Sequence, residues 1–253
     1  MGKTILSKIA TIAPKNLKKE KIKDKTKELA KEIGLLSEKL FAEKKNNLLI
    51  VLQGMDASGK DGVAKSVFKY CPALVVDAHA FKKPTEEEFA HDFLWRVHKH
   101  TPAKGQLKIF IRSHYEDILI QRVHAWINDD KANMRLEAIN NFEKTLIEDN
   151  QTTILKFYLH LSHEKQLEKL EERKTEPTKQ WKYNPIDFEE SKLWDKYMRF
   201  YEAAINGSTI PWYIIPSDQR WYRNYMVATN VYEALKKLKP EYPILLNEGK
   251  SKA

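Results

Sequence analysis

Leu48-Leu49-Ile50-Val51-Leu52-Gln53-Gly54-Met55-Asp56-Ala57-Ser58-Gly59-Lys60-Asp61-Gly62 is the stretch on which the fold turns. Leu48–Gln53 is a short apolar run of the kind needed for a strand buried on both faces of a parallel sheet. Gly54–Lys60 then fits G-x-x-x-x-G-K, and a helix is expected from about Asp61, so strand, loop and helix come in P-loop order. The glycines let the backbone curl so that several N–H groups point inward. This makes Gly54, Met55, Ala57, Ser58 and Gly59 candidates to bind phosphate. The helix N-terminus adds partial positive charge and Lys60 a full one. A strand-to-helix turn that merely contains two glycines and a lysine is the alternative, and the flanking strand and helix speak against it.

The loop departs from the common pattern at two places. Where a Ser or Thr hydroxyl usually holds magnesium, this chain has Asp61. Asp56 lies inside the loop, where a carboxylate repels bound phosphates unless a cation sits between them. Metal binding is therefore expected to have moved to carboxylates, Asp56 first. Asp61 is also readable as a first-turn acid favoured by the helix dipole.

Outward from the loop, the chain alternates. Strands are expected near Leu74–Ala80, Gln106–Arg112, Thr152–Leu161 and Trp212–Ile215. Thr85 with Glu88 forms a capping box that opens a helix to about His98. Further helices are expected around Met134–Ile147, from Asn184-Pro185 to Ala204, and over Tyr225–Leu238. From Lys21 to Lys44, Ile22, Leu29, Ile33, Leu36 and Leu40 fall at mostly helical spacing, giving one amphipathic helix. Strands alternating with helices imply an α/β fold with a parallel sheet covered on both faces. There is no repeat, low-complexity tract or Gly/Ser linker to divide it.

The next central strand ends in Arg112-Ser113-His114-Tyr115-Glu116-Asp117, followed by Arg122. In P-loop enzymes an acid here orients magnesium or the attacking group. Asp117 is the first candidate and Glu116 the second, with Arg112 and Arg122 for phosphate oxygens. A surface loop whose acids and arginines pair with one another is the other reading. Arg173, Lys174, Lys179 and Lys182 punctuate a later charged segment. Composition alone favours an ordinary charged connection over a lid that closes over a transferring phosphoryl group. His91 and His98 share a helix face, but neither cysteines nor an HExxH pattern accompany them, so no zinc site is expected. The aromatics of WDKYMRFYEAA read as core.

Bulk properties set limits. A chain of 253 residues with 42% hydrophobic content can bury one sizeable core. No apolar run reaches membrane-span length, the N-terminus lacks a signal-peptide pattern, and the single cysteine, Cys71, fits a reducing compartment, so a cytoplasmic location is expected. The formal charge of +9 calls for a polyanionic partner. Residues 1–45 hold 13 Lys against 6 Asp or Glu, a local excess of +7 that is either a solvated helix face or a guide for polyanions.

Several blocks together resemble the polyphosphate kinase 2 family: QGMDASGKDG, PTEEEFAHDFLWRVH, RSHYEDILIQRVH, EPTKQWKYNPIDF and PWYIIPSDQRWYRN, between about Lys21 and Pro240. The resemblance implies a three-layer P-loop kinase core like that of thymidylate kinase with a helical lid. On this view residues 1–45 are a basic helical extension, 46–240 the kinase domain with its lid at about 165–200, and 241–253 a tail. It further implies phosphoryl exchange between inorganic polyphosphate and nucleotides with Mg²⁺, in a homo-oligomer, often a tetramer. Asp56, Lys60, Asp61 and Gly62 match the family's loop, Asp117 the acid of its second motif, and Arg112 and Arg122 its phosphate-binding arginines. Arg173 and Lys179 match the basic lid. Glu176 and Gln219 depart from it, each standing where an aspartate or other acid is usual. Aspartate at 117, with a single kinase domain, looks like the subclass that interconverts NDP and NTP.

The reaction so implied is in-line transfer to ADP or GDP without a covalent intermediate, because phosphoryl transfer depends on positioning and charge neutralisation. Asp56 and Asp117 would hold magnesium. Lys60 and the loop would bind the transferred group, Arg112, Arg122 and Arg173 would cancel charge, and Lys82 and Lys83 would line the polymer's path. An ATP-dependent nucleoside monophosphate kinase is the competing enzyme. A nucleic-acid-binding P-loop module is the competing non-enzyme; it leaves Asp56 and Asp117 without a role, and no nucleic-acid partner is expected.

Overall fold

The computed structural model describes residues 2–244. Five strands, β1 (Asn47–Gln53), β2 (Val76–Ala80), β3 (Leu107–Ile111), β4 (Thr152–His160) and β5 (Trp212–Pro216), form one sheet. Its order is β2-β3-β1-β4-β5 and every pairing is parallel. The helices are α1 (Lys19–Glu43), α2 (Lys60–Val67), α3 (Glu86–Ala90), α4 (Trp95–His98), α5 (Glu116–Val123), α6 (Asp129–Glu148), α7 (His163–Thr175), α8 (Ile186–Lys192), α9 (Trp194–Gly207) and α10 (Arg220–Leu238).

β1 decides the layering. All seven of its residues are buried, and the period-two alternation of a strand sends them to two cores. Leu49 and Val51 meet Phe110, Ile139, Phe142 and Tyr201 on one face; Leu48, Ile50 and Leu52 meet Ile33, Leu40, Val63 and Val227 on the other. The result is a three-layer α/β/α arrangement. Full burial of an aliphatic side chain is worth about 1.5–3 kcal/mol, so the run Leu48–Leu52 fixes the start of the phosphate loop firmly.

The amphipathic helix expected over Lys21–Lys44 is α1, which packs on α10 and α2 through Ile33 and Leu40. It thus adds to the central core from within the segment expected as an extension. Ahead of it, Leu6 is buried, and the Ala13 N–H donates to Gln219 Oε1 at 2.9 Å. Gln219, one of the departures from the family pattern, holds the N-terminal segment in place. Of the tail expected at 241–253, residues 241–244 carry no regular element and the remainder lies outside the described residues.

Two expected helices are broken. The capping box at Thr85 is present, but the helix it opens stops at Ala90. His91 is extended and Asp92 Oδ1 accepts the Leu94 N–H at 2.9 Å, so a turn restarts the chain as α4. The helix expected from Asn184 to Ala204 divides at Leu193 into α8 and α9. No helix among the described residues is long and apolar enough to cross a membrane.

Candidate active site

In open α/β sheets, ligands bind beyond the carboxyl ends of the strands where connections part to opposite sides. Here β1 and β4 are neighbours; the chain leaves β1 toward β2 and leaves β4 toward β5. Gly54–Lys60 lies at that point. Gly54 has φ 146°, and a Cβ there would sit 2.8 Å from the Leu159 carbonyl oxygen. Gly59 has φ 94°, and its Cβ would fall 2.0 Å from Arg223 Nη1. Ala57 takes a left-handed conformation, φ 64°, without being glycine, a local strain of the kind that concentrates at functional turns.

Lys60 opens α2 and folds back over the loop, donating to the Gly54 carbonyl at 2.6 Å and to that of Met55 at 3.2 Å. Burial pushes its ammonium below the ordinary lysine range, against the pull of Asp56. Ser58 Oγ is buried without a hydrogen-bond partner. Arg112 follows β3 in a left-handed conformation, φ 61°, and its Nη2 donates to Asp56 Oδ1 at 2.6 Å. Burial works to raise the Asp56 pKa, but the charges of Lys60 and Arg112 outweigh it and hold the carboxyl below its usual range. Glu116, in the first turn of α5, goes the other way: burial, helped by Asp56, raises it against Arg112 and Lys60.

Asp56, Arg112 and Glu116 line one small cavity of about 50 Å³ with Glu190, Tyr197 and Tyr201. Glu190 is held by His124 at 2.9 Å and by the Tyr197 hydroxyl at 2.6 Å. The tyrosines expected as core are core, and they also roof this cavity. Gln166 ties it together: its Nε2 donates to the Asp56 carbonyl at 3.2 Å, and its Oε1 accepts from Ser191 at 2.9 Å.

Asp117, expected as the second metal ligand, does not line this cavity. Arg96 Nη2 donates to its carboxylate at 3.0 Å and Gln121 Nε2 at 2.7 Å, and burial raises its pKa in spite of Arg96. The cause is helical phase. Successive residues on α5 point about 100° apart; Glu116 and Ile120 face the cavity, whereas Asp117 and Gln121 face Arg96 and Arg135. The structure thus brings Glu116 to the loop in place of Asp117. Arg122 is likewise engaged elsewhere, with Asp129 at 2.8 Å and over the Phe200 ring at 4.4 Å. Lys82 and Lys83 are exposed after β2, and the Lys82 carbonyl accepts from Arg96.

The lid expected at about 165–200 corresponds to α7, a short 3-10 turn (Gln180–Lys182), α8 and the start of α9. Arg173 Nη1 pairs with Asp187 at 2.5 Å, Lys179 with Glu172 at 2.6 Å, and Lys182 with Asp61 at 3.0 Å. Arg173 is near enough to help depress Asp56. Asp61 is therefore an exposed helix-start acid pairing with the lid. A Cβ at Gly62 would lie 3.2 Å from Arg223 Nη2, so a larger residue there needs the guanidinium to give way.

Among the described residues no three Asp, Glu, His or Cys side chains gather as a metal cage. Mg²⁺ is usually held by one or two carboxylates plus substrate phosphates, and Asp56 with Glu116 at the loop fits that donor set. Glu190 and Gln166 carry no motif signal and are recognised only once the chain is folded, whereas Arg96 and Arg223 lie inside the quoted blocks PTEEEFAHDFLWRVH and PWYIIPSDQRWYRN but gain a role only from their contacts.

A parallel sheet with this loop at its switch point and two acids and an arginine converging on it defines a P-loop phosphotransferase. The chain belongs to the Polyphosphate kinase 2 (PPK2) family, whose profile matches residues 16–243. It is 44% identical over 218 residues to the AMP/ADP-polyphosphate phosphotransferase of Meiothermus ruber, covering 85% of this chain and 81% of that one. With the ADP-polyphosphate phosphotransferase of Rhodopseudomonas palustris it shares 35% identity, covering 82% of this chain and 77% of that one. The crystal structure of polyphosphate kinase 2 from Arthrobacter aurescens TC1 superposes with a TM-score of 0.91 at 36% identity, covering 94% and 87% of the two chains.

Proposed function

We propose that this protein transfers a phosphoryl group between inorganic polyphosphate and a nucleoside diphosphate, ADP or GDP, giving the triphosphate in a reversible, Mg²⁺-dependent reaction. The observation that carries the proposal is the meeting of Lys60, Asp56, Arg112 and Glu116 at one loop. Transfer between two polyanions needs cations to bind phosphate and acids to retain a metal, and this cavity offers both.

In this reading, Asp56 and Glu116 would hold Mg²⁺, which when bound neutralises charge between the phosphates. Lys60 and the loop N–H groups bind the transferred group. Arg112, already aimed at the cavity, offsets the charge that builds during transfer, and Arg173, from the proposed lid, helps capture the phosphates. Tyr197 and Tyr201 help exclude water. Asp117 acts as a positioning residue, fixing Arg96 and thereby the approach from β2 to α5. Arg122, Lys82 and Lys179 lie outside the cavity and are assigned to the wider polyanion field. We further take the working form to be a cytoplasmic homo-oligomer, as the family resemblance implies.

Acceptance of AMP is a second reading. The subclass argument for diphosphates rested on Asp117, which faces away from the cavity, and the 44%-identical Meiothermus ruber relative is named for both AMP and ADP. The test is direct: incubate the purified protein with Mg²⁺, polyphosphate and AMP, ADP or GDP in turn, and identify the products. ATP from ADP, or GTP from GDP, is expected. Failure with every nucleotide, or transfer only from ATP to a monophosphate, would contradict the proposal.

A further inference from the structure

The first turn of α10 faces two ways. Arg223 is buried beside the phosphate loop, its Nη1 donating to the Ser58 carbonyl at 2.9 Å and its remaining donors to Asn224 Oδ1 at 3.1–3.2 Å. No carboxylate pairs with it among the described residues. Lys169 reaches the same loop from α7, with Nζ 3.4 Å from the Ala57 carbonyl oxygen. A buried cation without a counter-charge is costly, and the cost falls when an anion arrives.

On the other side of that turn, Trp221 and Asn224 line a separate groove of about 380 Å³ between α1, α2 and α10. Lys23, Lys27, Lys69 and Ser66 complete its polar wall, and none of its lining residues is acidic. Lys23 pairs with Glu20 at 2.9 Å, whereas Lys27 and Lys69 have no acid partner among the described residues. Asn224 belongs to both sides, since it lines the groove and bonds Arg223. Ser66 follows Lys60 by six residues on α2, roughly 9 Å along the helix at its usual rise. Buried Arg223, bonded to both Ser58 and Asn224, therefore ties the loop to the wall of the groove and its lysines.

We propose that this groove is a distal docking site for inorganic polyphosphate, holding phosphate units beyond those at the loop. This rests on polyphosphate being the phosphoryl substrate. A nucleotide's charge ends at its own phosphates and needs no second cationic site; a polymer repeats its charge at every unit and gains from one. The site also gives part of the α1 lysine run a specific use.

The experiment compares wild type with K27E/K69E and with the milder K27Q/K69Q, measuring transfer to ADP from long-chain polyphosphate and from tripolyphosphate. Both lysines are exposed, so the melting temperature should not change. For K27E/K69E the long-chain KM should rise about tenfold, the loss of roughly 1.4 kcal/mol of binding, while kcat and the tripolyphosphate KM stay constant. The slope of log KM against log salt should also become shallower, because fewer counterions are released. K27Q/K69Q should show the same pattern to a smaller degree. An unchanged long-chain KM, or an equal rise for both polymers, overturns the groove while leaving the loop chemistry intact. A wild type that uses neither polymer overturns the donor assignment and the groove together.

Discussion

The floor of the site is set by the ends of buried strands, whereas the helical segment proposed as its lid is fastened largely by ion pairs between side chains. Lys60, Asp56 and Arg112 follow β1 and β3, which are packed on both faces. Arg173, Lys179 and Lys182 instead pair with Asp187, Glu172 and Asp61. Moving a floor charge disturbs the sheet, but Lys179 and Lys182 exchange a carboxylate for a phosphate oxygen at modest cost, because exposed pairs are worth about 0–1 kcal/mol; the more buried Arg173–Asp187 pair is held more firmly. The floor should therefore govern turnover, and the lid should mostly govern capture.

The largest effects belong to the floor. Lys60→Ala and Asp56→Asn should each lower kcat about 10²–10³-fold, the usual cost of removing a charge-stabilising group from a transfer site, with small changes in nucleotide KM. Comparable kcat losses from lid variants would break the comparison. Arg173→Gln should lower kcat/KM for polyphosphate roughly tenfold, in line with one charged hydrogen bond. Asp187→Asn, which frees Arg173, should lower the polyphosphate KM. Steady-state kinetics with varied polymer separates the two.

How much of this was legible in the sequence follows the same division. Leu48–Lys60 announces itself because a strand buried on both faces must be apolar throughout and a phosphate turn needs glycine at fixed places. The sheet and α1 are legible for similar reasons. The choice between Glu116 and Asp117 is not. They are consecutive carboxylates on a helix whose rotation is set by the packing of Ile118, Leu119 and Val123, and no local pattern records it. The break of the Thr85 helix was hidden too, since it depends on Asp92 capping Leu94 and on Arg96 reaching across to Asp117.

A smaller, pH-dependent effect probes the junction of lid and floor. Burial, reinforced by Arg223, Lys165 and Arg220, pushes the Lys169 ammonium down to about 8. It is charged below that pH and neutral above, so the polyphosphate KM should rise as pH passes about 8, and Lys169→Arg should flatten the rise. The stability sign is opposite. A lysine whose folded pKa lies below its ordinary 10.5 costs stability at pH below 8, and that cost fades between 8 and 10.5. Smallest of all, Lys179→Ala should keep kcat/KM within about fivefold of wild type, as befits a half-exposed pair.

Asp56 and Glu116 as the acids of the floor are tested most directly by one side-by-side measurement: polyphosphate-dependent ATP formation from ADP by Glu116→Gln and Asp117→Asn at saturating Mg²⁺, with melting temperatures alongside. Glu116→Gln should lose about 10²-fold in kcat with little change in melting temperature. Asp117→Asn, which leaves buried Arg96 with Glu88 at 3.6 Å as its remaining counter-charge, should lose stability by about 1–3 kcal/mol yet retain most of its turnover below its melting point. A folded Asp117→Asn variant with turnover abolished, beside a Glu116→Gln variant near wild type, would contradict the account.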